Sequence, residues 1–358
     1  MRGFPVHPDQ VTPDWLNTVV TGSDAGQHGA VTAVAWSPIG TGQVGDSVRF
    51  DLTHEGGGTS TLAAKFAAED ETSRTTAKMM RLYEKEVRFY REIAPHLSAR
   101  VPQTYACEVS EDGGEFILLF EDLGPARGGN QIAGCTIEDA RQGIRQAAAI
   151  HASTWGRGEL IGKEWLKAPE PVIAQLNAMY PHAQATFRER YANVLEPEYM
   201  ELCERYAPYF AALGEYFKPA QCLVHGDFRL DNMLFDIKGG AEPIAILDWQ
   251  TVASGRGMSD VAYFLGTGIG NDLRRAHEDE LLQLYLDEMN ARGVSLTRED
   301  IWLDYRIGAL SGLSTGVFSA AFVERTQRGD ANFLSMVRGA CGLALDHGSL
   351  DALLEVQK

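Results

Sequence analysis

The stretch Leu223-Val-His-Gly-Asp-Phe-Arg-Leu-Asp-Asn232 constrains this chain more than any other, because it sets a carboxylate, Asp227, five positions before an amide, Asn232. An apolar run, Pro243-Ile-Ala-Ile-Leu-Asp-Trp249, follows and carries Asp248 near its end. Short apolar runs bounded by turn residues read as buried strands. Any fold for this chain must therefore bring a polar loop and the end of a buried strand to one place.

What precedes the motif is rich in strands. Thr12, Pro13 and Asp14 make an N-cap followed by proline at the first helical position, which predicts a short helix over 13–20. A strand is predicted from Val31 to Ser37, then a glycine-spaced turn from Pro38 to Gly45. Val48, Phe50 and Leu52 alternate with Ser47, Arg49 and Asp51, the period of a half-buried strand. A turn at Glu55-Gly-Gly-Gly-Thr leads to a third strand, Thr61 to Phe66, that carries Lys65. Met79, Tyr83, Val87, Tyr90 and Ile93 recur every three or four residues, predicting one amphipathic helix over 75–93 with Glu86 at the edge of its stripe. Two more strands, 103–109 and 116–120, complete a five-stranded antiparallel unit ending at Glu121-Asp-Leu-Gly-Pro125.

Beyond that point helical patterns dominate. Thr136, three before Asp139, opens the first of them as a capping box, and others are expected near 171–188, 197–216, 259–267, 275–292, 298–325 and 330–356. The expected fold class is α+β and bilobal. Residues 1–122 form an N-terminal nucleotide-binding lobe, 123–130 a connector, and 131–358 a mainly helical C-terminal lobe.

The polar residues suit phosphoryl transfer, which needs a terminal phosphate, a metal and an attacking oxygen held in line while charge is neutralised. Asp227 can orient or accept the proton of an attacking hydroxyl, and Asn232 and Asp248 offer hard oxygen ligands to Mg²⁺. These segments, with Leu118-Leu-Phe-Glu-Asp-Leu123 and Glu86-Val-Arg-Phe-Tyr90, resemble the aminoglycoside phosphotransferase and choline kinase-like superfamily. Within it they look similar to bacterial phosphotransferase-family and ecdysteroid kinase-like proteins. The similarity runs from about Val31 to about Leu265 with the motifs in the expected order.

That resemblance implies a protein kinase-like fold, ATP and Mg²⁺ as cofactors, and a small-molecule hydroxyl acceptor. It implies Asp227 as the catalytic aspartate, Asn232 and Asp248 as metal ligands, Lys65 as the lysine on the nucleotide phosphates and Glu86 as its holder. It also implies main-chain contacts from Glu121 to Leu123 to the adenine edge, and Asp260 as a support for the catalytic loop. Gly226 stands where many protein kinases have an arginine that receives a phosphorylated loop, and eleven residues separate Asp248 from Asp260. Both features argue for a constitutively assembled small-molecule enzyme.

Gly40, Gly42 and Gly45 match a dinucleotide fingerprint, but that fingerprint needs a helix to begin in the loop, whereas a period-two strand follows here. A glycine hairpin over nucleotide phosphates is the preferred reading, with an ordinary turn as the alternative. His225, His151 and Trp155 read as packed residues, while Arg229 and Asp231 stay undecided. Trp302, Tyr305, Phe318, Phe322 and Phe333, among Asp304 and Glu324, hint at a pocket for an alcohol with an apolar body, an aminoglycoside being the other possibility.

Composition narrows the field further. A net charge of −17, from 49 acidic against 32 basic residues, would repel a nucleic-acid backbone. The five scattered cysteines suggest neither a disulfide framework nor a zinc site. No apolar run approaches a membrane span and the start lacks a signal-peptide pattern, so a cytoplasmic, non-membrane protein is expected. Oligomeric state is open. Two other functions compete: a nucleotide-binding pseudokinase scaffold, and a nicotinamide-dependent dehydrogenase resting on the glycine spacing alone.

Overall fold

The computed structural model describes residues 3–40, 44–323 and 325–358. In chain order the strands are β1 (Val31–Pro38), β2 (Gly45–His54), β3 (Thr59–Ala67), β4 (Thr104–Val109), β5 (Phe116–Glu121), β6 (Arg127–Gly128), β7 (Cys222–Val224), β8 (Met233–Asp236), β9 (Glu242–Ile246) and β10 (Ala253–Gly255). The helices of the first half are α1 (Pro13–Val20), α2 (Glu71–Met79), α3 (Leu82–Glu92), α4 (Ile137–Thr154), α5 (Gly158–Ile161), α6 (Glu170–Tyr191) and α7 (Pro197–Tyr206). Then come α8 (Phe210–Phe217), the short turn α9 (Ile237–Gly240), α10 (Met258–Thr267), α11 (Asn271–Ala291), α12 (Arg298–Phe322), α13 (Gln327–Asp346) and α14 (Ser349–Glu355).

The first five strands form one antiparallel sheet in the order β1-β2-β3-β5-β4. Its two faces follow from strand alternation. Leu62, Ala64 and Phe66 of β3, with Ile117 and Leu119 of β5, pack against Leu16 and Val20 of α1. Ala67 of β3, with Phe116 and Leu118 of β5, faces Tyr83, Val87, Phe89 and Tyr90 of α3. Lys65 shares that second face, so the pleat alone turns it toward the helix that carries Glu86.

The expected helix over 75–93 is two helices, split at Arg81, whose φ is 57°. Asp70 caps α2 by accepting from Ser73 N, and Met79 is exposed rather than part of the buried stripe. The break lets Tyr83 donate to Val44 O at 2.6 Å and accept from Ala68 N, tying α3 to the edges of β2 and β3. Two further expected helices are also divided. Pro208 interrupts 197–216, and Gly348, with φ 60°, separates α13 from α14.

The second half of the chain packs mainly through α4, α6, α10, α11, α12 and α13. Thr136 and Asp139 form the capping box of α4. Strand β6 pairs with β8, which pairs in turn with β9, while β7 pairs with β10. No helix of the described residues is long and apolar enough to cross a membrane.

Candidate active site

Strand β3 delivers Lys65 and α3 delivers Glu86, and their contact is close. Lys65 Nζ donates to Glu86 Oε2 at 2.8 Å and Oε1 at 3.1 Å, and to Asp248 Oδ1 at 2.9 Å. Burial opposes the charge on Lys65, but Asp248 and Glu86 outweigh it and hold its pKa above the ordinary lysine value. Burial pushes the Glu86 carboxyl up, against the pull of Lys65. Glu86 is 1% exposed and Asp248 32%, so one anchor of the lysine is dry and the other reaches solvent.

Asp248 is not on a strand as expected. β9 ends at Ile246, and Asp248 adopts a left-handed backbone (φ 63°, ψ 69°) before a 3₁₀ turn, Trp249–Thr251. Such a conformation in a non-glycine residue stores strain that surrounding packing must offset. Trp249 supplies that packing. It is fully buried, stacks on Phe89 of α3 at 3.9 Å between centroids and lies against His225 at 4.6 Å. One indole therefore couples the helix bearing Glu86, the segment bearing Asp248 and the loop bearing Asp227.

In that loop Asp227 Oδ1 accepts from Tyr263 Oη at 2.8 Å, and Oδ2 accepts from Arg229 Nε at 2.9 Å and Asn232 Nδ2 at 3.0 Å. Burial pushes the Asp227 carboxyl up, but the Arg229 guanidinium and the Tyr263 hydroxyl outweigh it and hold its pKa below the usual range. Tyr263 is pushed well above the ordinary tyrosine value, first by burial and then by Asp227, which keeps it a donor. Asn232 Nδ2 also donates to the Asp227 carbonyl at 2.9 Å, so both amide hydrogens point at Asp227 and Oδ1 is left as the amide's acceptor. Leu247 N donates to Asn232 O at 2.9 Å, which sets Asn232 directly across from the residue before Asp248.

Beneath the loop, Asp260 in the first turn of α10 accepts from His225 N at 2.7 Å and Gly226 N at 3.0 Å. It also meets His151 Nε2 at 3.3 Å, and His151 Nδ1 meets Tyr285 Oη at 3.0 Å, so His151 is a packed residue of α4. Gly226 is at φ 80°, and a Cβ there would lie 2.6 Å from Thr251 O. Only glycine lets the loop after Asp248 lie against the loop before Asp227.

Asn232 and Asp248 fit magnesium. Among the described residues no group of three or more His, Cys, Asp or Glu could hold a metal alone. One carboxylate and one amide oxygen are the donor set of an ion that keeps its waters and takes the remaining ligands from phosphates.

Gly40 (φ 76°) follows β1 and Gly45 opens β2, its antiparallel neighbour, while Gly42 lies outside the described residues. A strand, not a helix, follows Gly45. A Cβ on Gly45 would sit 2.9 Å from Phe66 O and 3.1 Å from Lys65 Cε. Glu121 N donates to Gln103 O and Leu123 O accepts from Lys238 N, while the Glu121 side chain is held by Arg100 and Lys238.

The expected acceptor residues are dispersed. Asp304 binds Arg256 and Tyr216, Tyr305 donates to Glu278, and Trp302 lies against His347. Phe318 and Phe322 pack near the other end of α12, toward Tyr180 and His182, and Glu324 lies outside the described residues. Tyr263 was absent from the sequence expectation. Its signal was its place three residues after Asp260, one helical turn along the same face. Arg229 and Asp231, undecided from sequence, meet at 3.2 Å beside Asp227.

Sheet, helix pair and polar loop define a protein kinase-like fold of the aminoglycoside phosphotransferase kind. A candidate aminoglycoside phosphotransferase from Ralstonia eutropha shares it with a TM-score of 0.56, at 18% identity over 93% of this chain and 97% of that one. The GDP complex of aminoglycoside 2'-phosphotransferase-IIIa does so with a TM-score of 0.53, at 13% identity over 92% and 99%. The chain belongs to the ecdysteroid kinase-like family, whose model matches residues 47–296.

Among curated proteins it is similar to acyl-CoA dehydrogenase family member 11 of Rattus norvegicus, 31% identical over 115 residues, 28% of this chain and 14% of that protein. It is also similar to acyl-CoA dehydrogenase family member 10 of Mus musculus, 54% identical over 41 residues, 12% of this chain and 4% of that protein. The chain thus spans only a small part of these relatives.

Proposed function

We propose that this protein is a small-molecule kinase that uses ATP and Mg²⁺ to phosphorylate a hydroxyl group of a small acceptor. The observation that carries the reading is that Lys65 bridges Glu86 and Asp248 while Asn232 holds Asp227, and that the main-chain bond from Leu247 N to Asn232 O joins the two segments. In this reading Glu86 holds Lys65 toward the nucleotide phosphates, and the hairpin with Gly40 and Gly45 covers them. Main-chain groups from Glu121 to Leu123 receive the adenine edge; the Glu121 N–H and the Leu123 carbonyl are already spent within the fold. Asn232 and Asp248 hold the metal, which when bound neutralises charge on the phosphates.

Asp227 Oδ2 already has two donors and Oδ1 one, so the acceptor hydroxyl finds its free lone pair on Oδ1, beside Tyr263. The lowered pKa keeps Asp227 ionised at neutral pH, suited to orienting the hydroxyl and taking its proton late. In the same reading residues 123–130 connect an N-terminal nucleotide-binding lobe, 1–122, to the C-terminal lobe, 131–358, and the nucleotide lies between the two.

To test this, the protein is incubated with Mg-ATP and a mixed set of alcohols, sugars, aminocyclitols and sterols, and products gaining one phosphoryl group are sought by mass spectrometry. Asp227→Ala is expected to lower turnover by about 10²–10⁴-fold with nucleotide affinity unchanged. Nucleotide binding without transfer to any acceptor would instead favour a pseudokinase.

A further inference from the structure

Gln250, two residues after Asp248, donates from Nε2 to Asp248 Oδ2 at 3.4 Å. Its other side-chain atom, Oε1, is buried and has no hydrogen-bond partner among the described residues. An amide oxygen left dry and unpaired costs about 1–3 kcal/mol, and native proteins keep few of them. Flipping the amide offers no relief, because it would set the oxygen against the Asp248 carboxylate. The neighbouring side chains are committed as well. Asp248 Oδ1 is on Lys65, Thr251 Oγ1 donates to His225 O, and Trp249 Nε1 donates to Ile246 O. None of these side chains offers Oε1 a donor.

We propose that Gln250 is a positioning residue of the magnesium site, its Oε1 accepting from a water molecule carried by the ion that Asp248 and Asn232 hold. This rests on the kinase reading of the site. Magnesium bound through one or two protein oxygens keeps several waters, and each is a strong donor that needs an acceptor. A single amide thereby does two things: Nε2 fixes one oxygen of Asp248, and Oε1 fixes the hydration shell. Neither role touches the reacting atoms, so the effect falls on metal-dependent nucleotide binding.

The test is calorimetric titration of a non-hydrolysable ATP analogue with and without Mg²⁺, for wild type, Gln250→Leu and Gln250→Glu, alongside thermal unfolding of each. Wild type is expected to bind the analogue more tightly with the metal. Gln250→Leu should lose about 10-fold of affinity with Mg²⁺ present and none without it, while Gln250→Glu, which keeps an acceptor oxygen, retains the gain. If Gln250→Leu keeps the full Mg²⁺-dependent gain, the proposal is overturned. A wild type with no such gain would overturn the magnesium site itself, a separate failure of the kinase reading. Should Gln250→Leu unfold early, Gln250→Asn removes the reach but not the polarity, and retention of the whole gain there refutes the role equally.

Discussion

Replacing Lys65 by methionine isolates the energetics of the cleft. The lysine neutralises two carboxylates at once, Glu86 at 2.8 Å and Asp248 at 2.9 Å. Removing one partner of a buried ion pair costs about 3–5 kcal/mol, because a charge is left dry and uncompensated. Asp248 is partly exposed and can rehydrate, so the cost rests on Glu86 and the low end applies, about 3 kcal/mol. At roughly 2 °C per kcal/mol for a large domain, the melting temperature should fall by about 6 °C.

The sign of the pH dependence follows from burial. Glu86 without its lysine has a folded-state pKa above the unfolded value of about 4.3, so the folded state binds the proton more tightly. The penalty is absent below the unfolded pKa and grows as pH rises toward the folded one. Thermal or urea unfolding of wild type and Lys65→Met between pH 4.5 and about 8 should therefore show a gap that narrows with acid. Lys65→Met combined with Glu86→Gln should recover more than half of the loss, since a neutral pair strands no charge. A gap that stays constant across pH, or a double variant no better than the single one, would refute the argument.

Two other perturbations probe the site. Tyr263→Phe removes the hydrogen bond to Asp227 Oδ1 and should lower kcat by about 10-fold with nucleotide affinity and melting temperature little changed, as steady-state kinetics and calorimetry would show. Gly45→Ala drives a methyl to 2.9 Å from Phe66 O and 3.1 Å from Lys65 Cε, so it should cost about 1–3 kcal/mol and weaken nucleotide binding; equal affinity would show that the strand yields without moving Lys65.

The sheet was legible because its strands obey the pleat: the same alternation that marks Val48, Phe50 and Leu52 as buried leaves Lys65 on the α3 face. Thr12 and Thr136 announced their helices through side-chain caps that depend on local sequence only. Arg81 was not legible, since no glycine, asparagine or proline marks the break; it is imposed at a distance, by Tyr83 meeting Val44 and Ala68. The motif around Asp227 exposed which polar residues gather, but the sequence was silent on the donors that saturate them. Trp249 read as the end of an apolar run, whereas its stacking on Phe89 depends on two segments far apart in the chain. The C-terminal aromatics failed for the opposite reason, because helical spacing alone does not distinguish a pocket wall from a core.

The clasp between β7 and β10 has a consequence for control of the protein. With Ala253 to Gly255 laced onto Cys222 to Val224, and Thr251 bonded to the His225 carbonyl, the passage leaving Asp248 is woven into the floor that supports Asp227. A modification aimed at that passage would have to unpick the floor before it could signal anything. In the proposed kinase, switching through this stretch would come at the expense of the very support that holds Asp227.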